Sequence, residues 1–122
     1  MTDDDWSKLK YFTKEEFDCK HTGRNEMQLE FMEKLDELRE LCGFPFIITS
    51  GYRDDSHPSE ASKATKGGQH TLGRAADIGV SNGSDRRILV ENAIKLGFNG
   101  IGVAKGFIHV DNRDTLRVMW CY

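Results

Sequence analysis

The chain has 122 residues, a formal net charge of -3 and 38% apolar residues. That length suits one domain around one hydrophobic core, and the balance of apolar and charged residues excludes a disordered tail. A mildly acidic chain is a poor match for a polyanion, and no stretch is apolar enough to insert in a bilayer, so neither a nucleic-acid partner nor membrane insertion is expected.

Met1 to Trp6 is acidic and lacks the basic start and apolar middle of a secretory signal, so synthesis in the cytoplasm without a signal peptide is expected. Cys19, Cys42 and Cys121 are widely spaced, odd in number and without a CxxC pair, which predicts reduced thiols and no disulfide framework. No repeat or linker divides residues 1–122, which read as a single domain and a monomer. From Asn25 to Cys42, Met27, Phe31, Leu35, Leu38 and Cys42 recur at helical steps, with Asn25 and Gln28 spaced as a capping box and Gly43 as a stop. Phe46 to Thr49 then predicts a buried strand that delivers Ser50-Gly51-Tyr52-Arg53 at its end.

Asp54 to Gly68 is polar, with Pro58 suited to the first turn of a short helix and Gly67-Gly68 to a loop. Ala75 to Val80 predicts a second strand, and Ser84 a cap for a helix carrying Ile88, Val90, Ala93 and Ile94 before Gly97. Three short strands follow, Gly100 to Ala104, Phe107 to Asp111 and Leu116 to Trp120, separated by turn residues. Helices early and a meander late predict an α+β domain with helices packed on an antiparallel sheet.

Of four histidines, His70 and His109 have the most suggestive surroundings. His70 precedes Asp77 by seven residues, and Gly73 lets the chain turn between them. Alternation along Phe107-Ile108-His109-Val110-Asp111 puts His109 and Asp111 on one strand face, opposite Ile108 and Val110. Two imidazoles and a carboxylate are a donor set for zinc. Spacing alone equally allows a hydrogen-bonded core histidine and a turn carboxylate. His21 reads as a surface-loop residue, and His57 as one that could contact substrate. No Gly-x-Ser-x-Gly elbow and no convincing Cys-His pair is present, which disfavours serine or cysteine catalysis.

Three blocks, Ser50-Gly51-Tyr52-Arg53, His70 through Asp77, and Phe107-Ile108-His109-Val110-Asp111, resemble in order and spacing the zinc D-alanyl-D-alanine carboxypeptidase family of murein peptidases. Gly100-Ile101-Gly102-Val103, Arg117 and Trp120 resemble its small murein endopeptidase branch, and Phe12 to Cys19 the opening of phage and prophage members. The resemblance implies the zinc fold shared with hedgehog signalling domains. It implies zinc on His70, Asp77 and His109, and Arg53 as a catalytic and substrate-binding group for a carboxylate or oxyanion. Tyr52 and Gln69 adjoin these residues and are expected, with His57, to bind peptide, the alternative for Tyr52 being a place in the core.

The activity implied is hydrolysis of a D-amino-acid-containing bond in the stem or crosslink of peptidoglycan, by an endolysin or tail-associated lysin acting after release or from a virion. Several relatives carry an acidic residue three positions before the last zinc histidine, where this chain has Gly106. Asp111 is the nearest replacement as general base, its alternative being to accept the other ring N–H of a zinc histidine or to pair with Arg113 or Arg117. The missing carboxylate leaves open a noncatalytic zinc-containing cell-wall-binding or signalling module. Phe107 and Trp120 are expected to serve packing.

Overall fold

The computed structural model describes residues 1–58 and 68–122. Residues 59–67, which hold most of the helix expected after Pro58, Glu60 and Gly67, lie outside the described residues. Helix α1 (Asp3–Ser7) is closed by a capping box between Thr2 and Asp5, and a 3-10 turn (Lys14–Phe17) seats Phe17 in the core. Helix α2 (Leu29–Cys42) buries Phe31, Met32, Leu35 and Leu38 and stops at Gly43, whose φ of 75° is left-handed. The expected capping box at Asn25 does not form. The Asn25 amide instead donates to the Lys14 carbonyl at 3.1 Å and to Asp18 at 3.0 Å, so the chain runs extended until Gln28.

Five strands follow in the order β1-β2-β4-β3-β5: β1 (Ile47–Ser50), β2 (Ala75–Gly79), β3 (Gly100–Val103), β4 (Phe107–Asp111) and β5 (Val118–Cys121). Helix α3 (Gly83–Lys95) joins β2 to β3 and is capped by Asn82, which accepts from the Asp85 amide at 2.7 Å, and not by Ser84. Its buried residues are Leu89 and Ala93, while Ile94 is exposed. Strand β1 lies at the sheet edge with Ile47 69% exposed, so it is not the buried strand its composition suggests. The sheet is also mixed: β5 pairs parallel to β3. Residues 112–117 carry the chain past the end of β3 to its far side, where a strand antiparallel to β4 must run with β3.

Alternation splits the sheet into two chemically different faces. Ala76, Ile78, Ile101, Ile108 and Val110 join the hydrophobic core with α2 and α3, which pack against each other. Asp77, His109 and Asp111 are buried on the opposite face, with Gly100 and Gly102 beside them on β3. Each large apolar side chain taken fully out of water contributes about 1.5–3 kcal/mol. That one-sided core is what supports a polar site on the other side.

Candidate metal centre

In the β2–β4 register Asp77 faces His109, and the loop before β2 brings His70 to the same point. That loop turns at Gly73, where φ is 75° and a Cβ would stand 2.0 Å from the Glu26 carbonyl oxygen, so only glycine fits. Donor atoms of His70, Asp77 and His109 lie within 4.8 Å of one another, and all three residues are buried. The His70 Nδ1 faces the Gly51 carbonyl oxygen at 2.8 Å, a contact that needs an N–H there and leaves the Nε2 lone pair aimed inward, 3.4 Å from Asp77 Oδ1.

His109 has a carboxylate at each ring nitrogen: Nε2 lies 2.7 Å from Asp111 Oδ2 and Nδ1 lies 3.0 Å from Asp77 Oδ1. A neutral imidazole has one N–H and cannot satisfy both. Either the ring is doubly protonated, or Nε2–H serves Asp111 and a cation takes the Nδ1 lone pair together with Asp77. Ligands about 2.1 Å from a tetrahedral zinc ion stand about 3.4 Å apart. The spacings of 3.0 and 3.4 Å are of that order, and the donor set is right for zinc.

Without a cation the same groups perturb one another. Burial pushes the Asp77 carboxyl up, but the two imidazoles beside it, His109 and His70, outweigh this and hold the group well below the usual carboxylate range. Burial lowers His109, and the hydrogen bonds to Asp111 and Asp77 more than reverse this. Arg53, from the segment after β1, donates from Nε to Ser50 Oγ at 3.0 Å and from Nη2 to Asp77 Oδ2 at 3.2 Å. It therefore fixes the outer oxygen of Asp77 while the inner one meets the histidines.

An open cavity of about 460 Å³ surrounds this centre, lined by the triad, by Arg53 and Gln69, and by the aromatic rings of Phe107, Trp120 and Tyr122. Gln69 also accepts from Arg74 Nε at 2.7 Å. Other expected site residues are elsewhere. Tyr52 is buried with its hydroxyl donating to Glu26 at 2.8 Å, so it is a core residue and not part of the cavity wall. His57 stands edge-on to His21 with ring centroids 6.2 Å apart, away from that wall. Asp54 is paired with Arg24 and Ser56.

Asp111, expected as the proton carrier, has no exposed surface, and both its oxygens are taken. Oδ1 accepts from the Arg113 backbone N–H and Nε at 3.0 and 2.9 Å, while Oδ2 accepts from Arg113 Nη2 and His109 Nε2, both at 2.7 Å. Burial raises its carboxyl, and the hydrogen bonds from His109 and Arg113 bring it far below the usual range. Space for this carboxylate exists only because residue 100 is glycine: a Cβ there would stand 2.3 Å from both Asp111 oxygens.

A family model described as Peptidase M15 matches residues 10–111. The chain belongs to the peptidase M15 family. A search of curated proteins finds no match to it. M15 peptidases are zinc-dependent, so membership supports a zinc metallopeptidase, and the three donors the cofactor needs converge in this structure on residues within the matched span. Trp120, Tyr122 and Arg113 lie beyond that span, yet they line the same cavity as the M15 residues. Sequence reasoning named Arg113 only as a candidate partner for Asp111, a pairing the structure shows, missed Tyr122, and assigned Phe107 and Trp120 to packing, although both line the cavity. Alternation along the last strand pairs Trp120 with Tyr122 on one face, but only the register with β3 shows that this face is the site's.

Proposed function

We propose that the protein hydrolyses a D-amino-acid-containing peptide bond in the stem or crosslink of peptidoglycan, acting as a phage endolysin or tail-associated lysin. It would be made in the cytoplasm and reach the cell wall after release or as part of a virion. The observation that carries the reading is the convergence of His70, Asp77 and His109 at the floor of an open cavity in an M15 chain. Peptide hydrolysis needs polarisation of the scissile carbonyl and a water made more acidic, and zinc held by those three residues supplies both.

The chain's own groups do the rest. Arg53 is 19% exposed at its side chain and lines the cavity, so its guanidinium can hold a substrate carboxylate or the charge developing on the scissile carbonyl. Gln69 offers its amide to the peptide backbone. Asp111 acts through His109: it holds the Nε2–H and thereby keeps Nδ1 aimed at the metal. Among the described residues Asp77 is the one carboxylate lining the cavity, so Asp111 is a positioning residue in this reading.

Incubation of zinc-loaded protein with purified peptidoglycan, followed by mass spectrometry of the fragments, tests the proposal. Cleavage at one bond flanked by a D-residue is expected, with loss of zinc and of cleavage in His70→Ala, Asp77→Ala and His109→Ala. Arg53→Lys should keep zinc and lose at least tenfold in turnover, because lysine keeps the charge without the planar fork. Intact peptidoglycan after digestion by fully zinc-loaded protein would favour the binding-module reading.

A further inference from the structure

The cavity has a wall that the family match does not cover. Beyond residue 111, Arg113, Trp120 and Tyr122 all face the opening, and each is held by an identifiable device. Parallel pairing sets Trp120 opposite Gly102, where a Cβ would stand 2.7 Å from the indole, so the ring lies flat over the strand only because residue 102 is glycine. The indole then stands 5.2 Å from the His109 ring, centroid to centroid, and Tyr122 packs 4.9 Å from Phe107.

Arg113 is fixed from two directions. Its Nε and Nη2 donate side-on to the two Asp111 oxygens, and its guanidinium carbon sits 4.9 Å above the Trp120 ring. Its plane is thus set before any ligand arrives. Nη1 has no hydrogen-bond partner among the described residues, and the side chain lines the cavity. The lining also carries Arg53, while its one described carboxylate, Asp77, is engaged with the histidines and Arg53. A guanidinium with a fixed plane and a free edge, backed by aromatic rings, suits a carboxylate attached to a short apolar stem.

We propose that Arg113, Trp120 and Tyr122 form a carboxylate-binding subsite that selects peptides bearing an acidic group beside the scissile bond. Arg113 takes the carboxylate, and Trp120 and Tyr122 cover the methylenes that carry it. The proposal deepens the murein-peptidase reading and rests on it for the substrate, but the subsite can be tested without turnover.

Zinc-loaded protein is titrated calorimetrically with acetyl-alanyl-D-glutamic acid amide and with the matched D-glutamine peptide, which lacks only the charge. The acidic peptide is expected to bind about tenfold more tightly, the scale of one charge-assisted pair. Arg113→Gln should erase that preference. Because Arg113 also neutralises Asp111, Arg113→Lys is run beside it with zinc content measured: it keeps a charge near Asp111 and should retain zinc while losing most of the preference. Trp120→Leu should weaken both peptides alike.

Equal binding of the two peptides by the parent protein overturns the subsite, as does an unchanged preference in both Arg113 variants. If peptidoglycan resists cleavage while the Arg113-dependent preference persists, the murein reading fails and the subsite stands. If peptidoglycan is cut but the preference is absent, the reverse holds.

Discussion

His109 shows how much one side chain's neighbours decide. With a buried carboxylate on each nitrogen, its ring is oriented before a metal binds, and the outer carboxylate, Asp111, is itself clamped by Arg113. Asp111→Asn should weaken zinc binding by about ten- to a hundredfold, with excess zinc restoring most of the rate. Competition with a chelator measures the first, and rate against zinc concentration the second. A hundredfold loss of turnover at full zinc occupancy would return the proton-carrying role to Asp111.

Tyr52 gives a residue-scale test unrelated to the metal. Burial, and then its hydrogen bond to Glu26, push the phenol up to about 12. A tyrosine in the unfolded chain titrates near about 10. The folded state holds this proton more tightly, so the stabilising contribution is complete below the unfolded value and is lost as pH rises through the folded one. The stability difference between the parent and Tyr52→Phe, followed by urea unfolding, should be constant below about pH 9 and shrink between about pH 10 and 12. A difference that stays level across that range would show that the phenol is not perturbed.

At the scale of elements, the site depends on glycines at positions 73, 100 and 102, where backbones or side chains approach too closely for a Cβ. Gly73→Ala combines a left-handed φ of 75° with a contact of 2.0 Å to the Glu26 carbonyl oxygen. It should cost about 2–4 kcal/mol and lower the melting temperature by about 10 °C, with zinc affinity falling because His70 is displaced. Circular dichroism melts of the zinc-free and zinc-loaded variant check both.

These elements also show what the sequence made legible. The 107–111 strand was readable to the residue, because alternation of Ile108 and Val110 with His109 and Asp111 is unambiguous once one face must be buried. The start of α2 was not, because Asn25 was claimed by the 3-10 turn, a contact invisible in local spacing. The sequence left Tyr52 open between peptide binding and the core for a similar reason: its neighbour Arg53 turns to the site, while Tyr52 meets Glu26 across a tertiary contact. The metal donors were found by resemblance and strand alternation, whereas the Arg113 and Trp120 wall needed a parallel register that no motif announces.

For the molecule as a whole, a site whose donors come from the loop after β1, from β2 and from β4 couples metal binding to the fold. Zinc at a hundredfold excess over its dissociation constant should add about 2.7 kcal/mol to the folded state and raise the melting temperature by roughly 10 °C. Differential scanning calorimetry with and without chelator reads the shift, and His70→Ala should show little of it. An equal shift in that variant would place the metal elsewhere.

The parallel pairing of β5 has a practical corollary. Tyr122 hydrogen-bonds through its backbone to Val103 at 3.1 Å and lines the rim of the cavity, so any polypeptide fused after it leaves the fold at the entrance. A purification tag attached there would trail across the opening and compete with substrate for entry. The same tag ahead of Met1, which packs against the core cluster with Trp6 and shares no lining with the cavity, would leave the entrance clear.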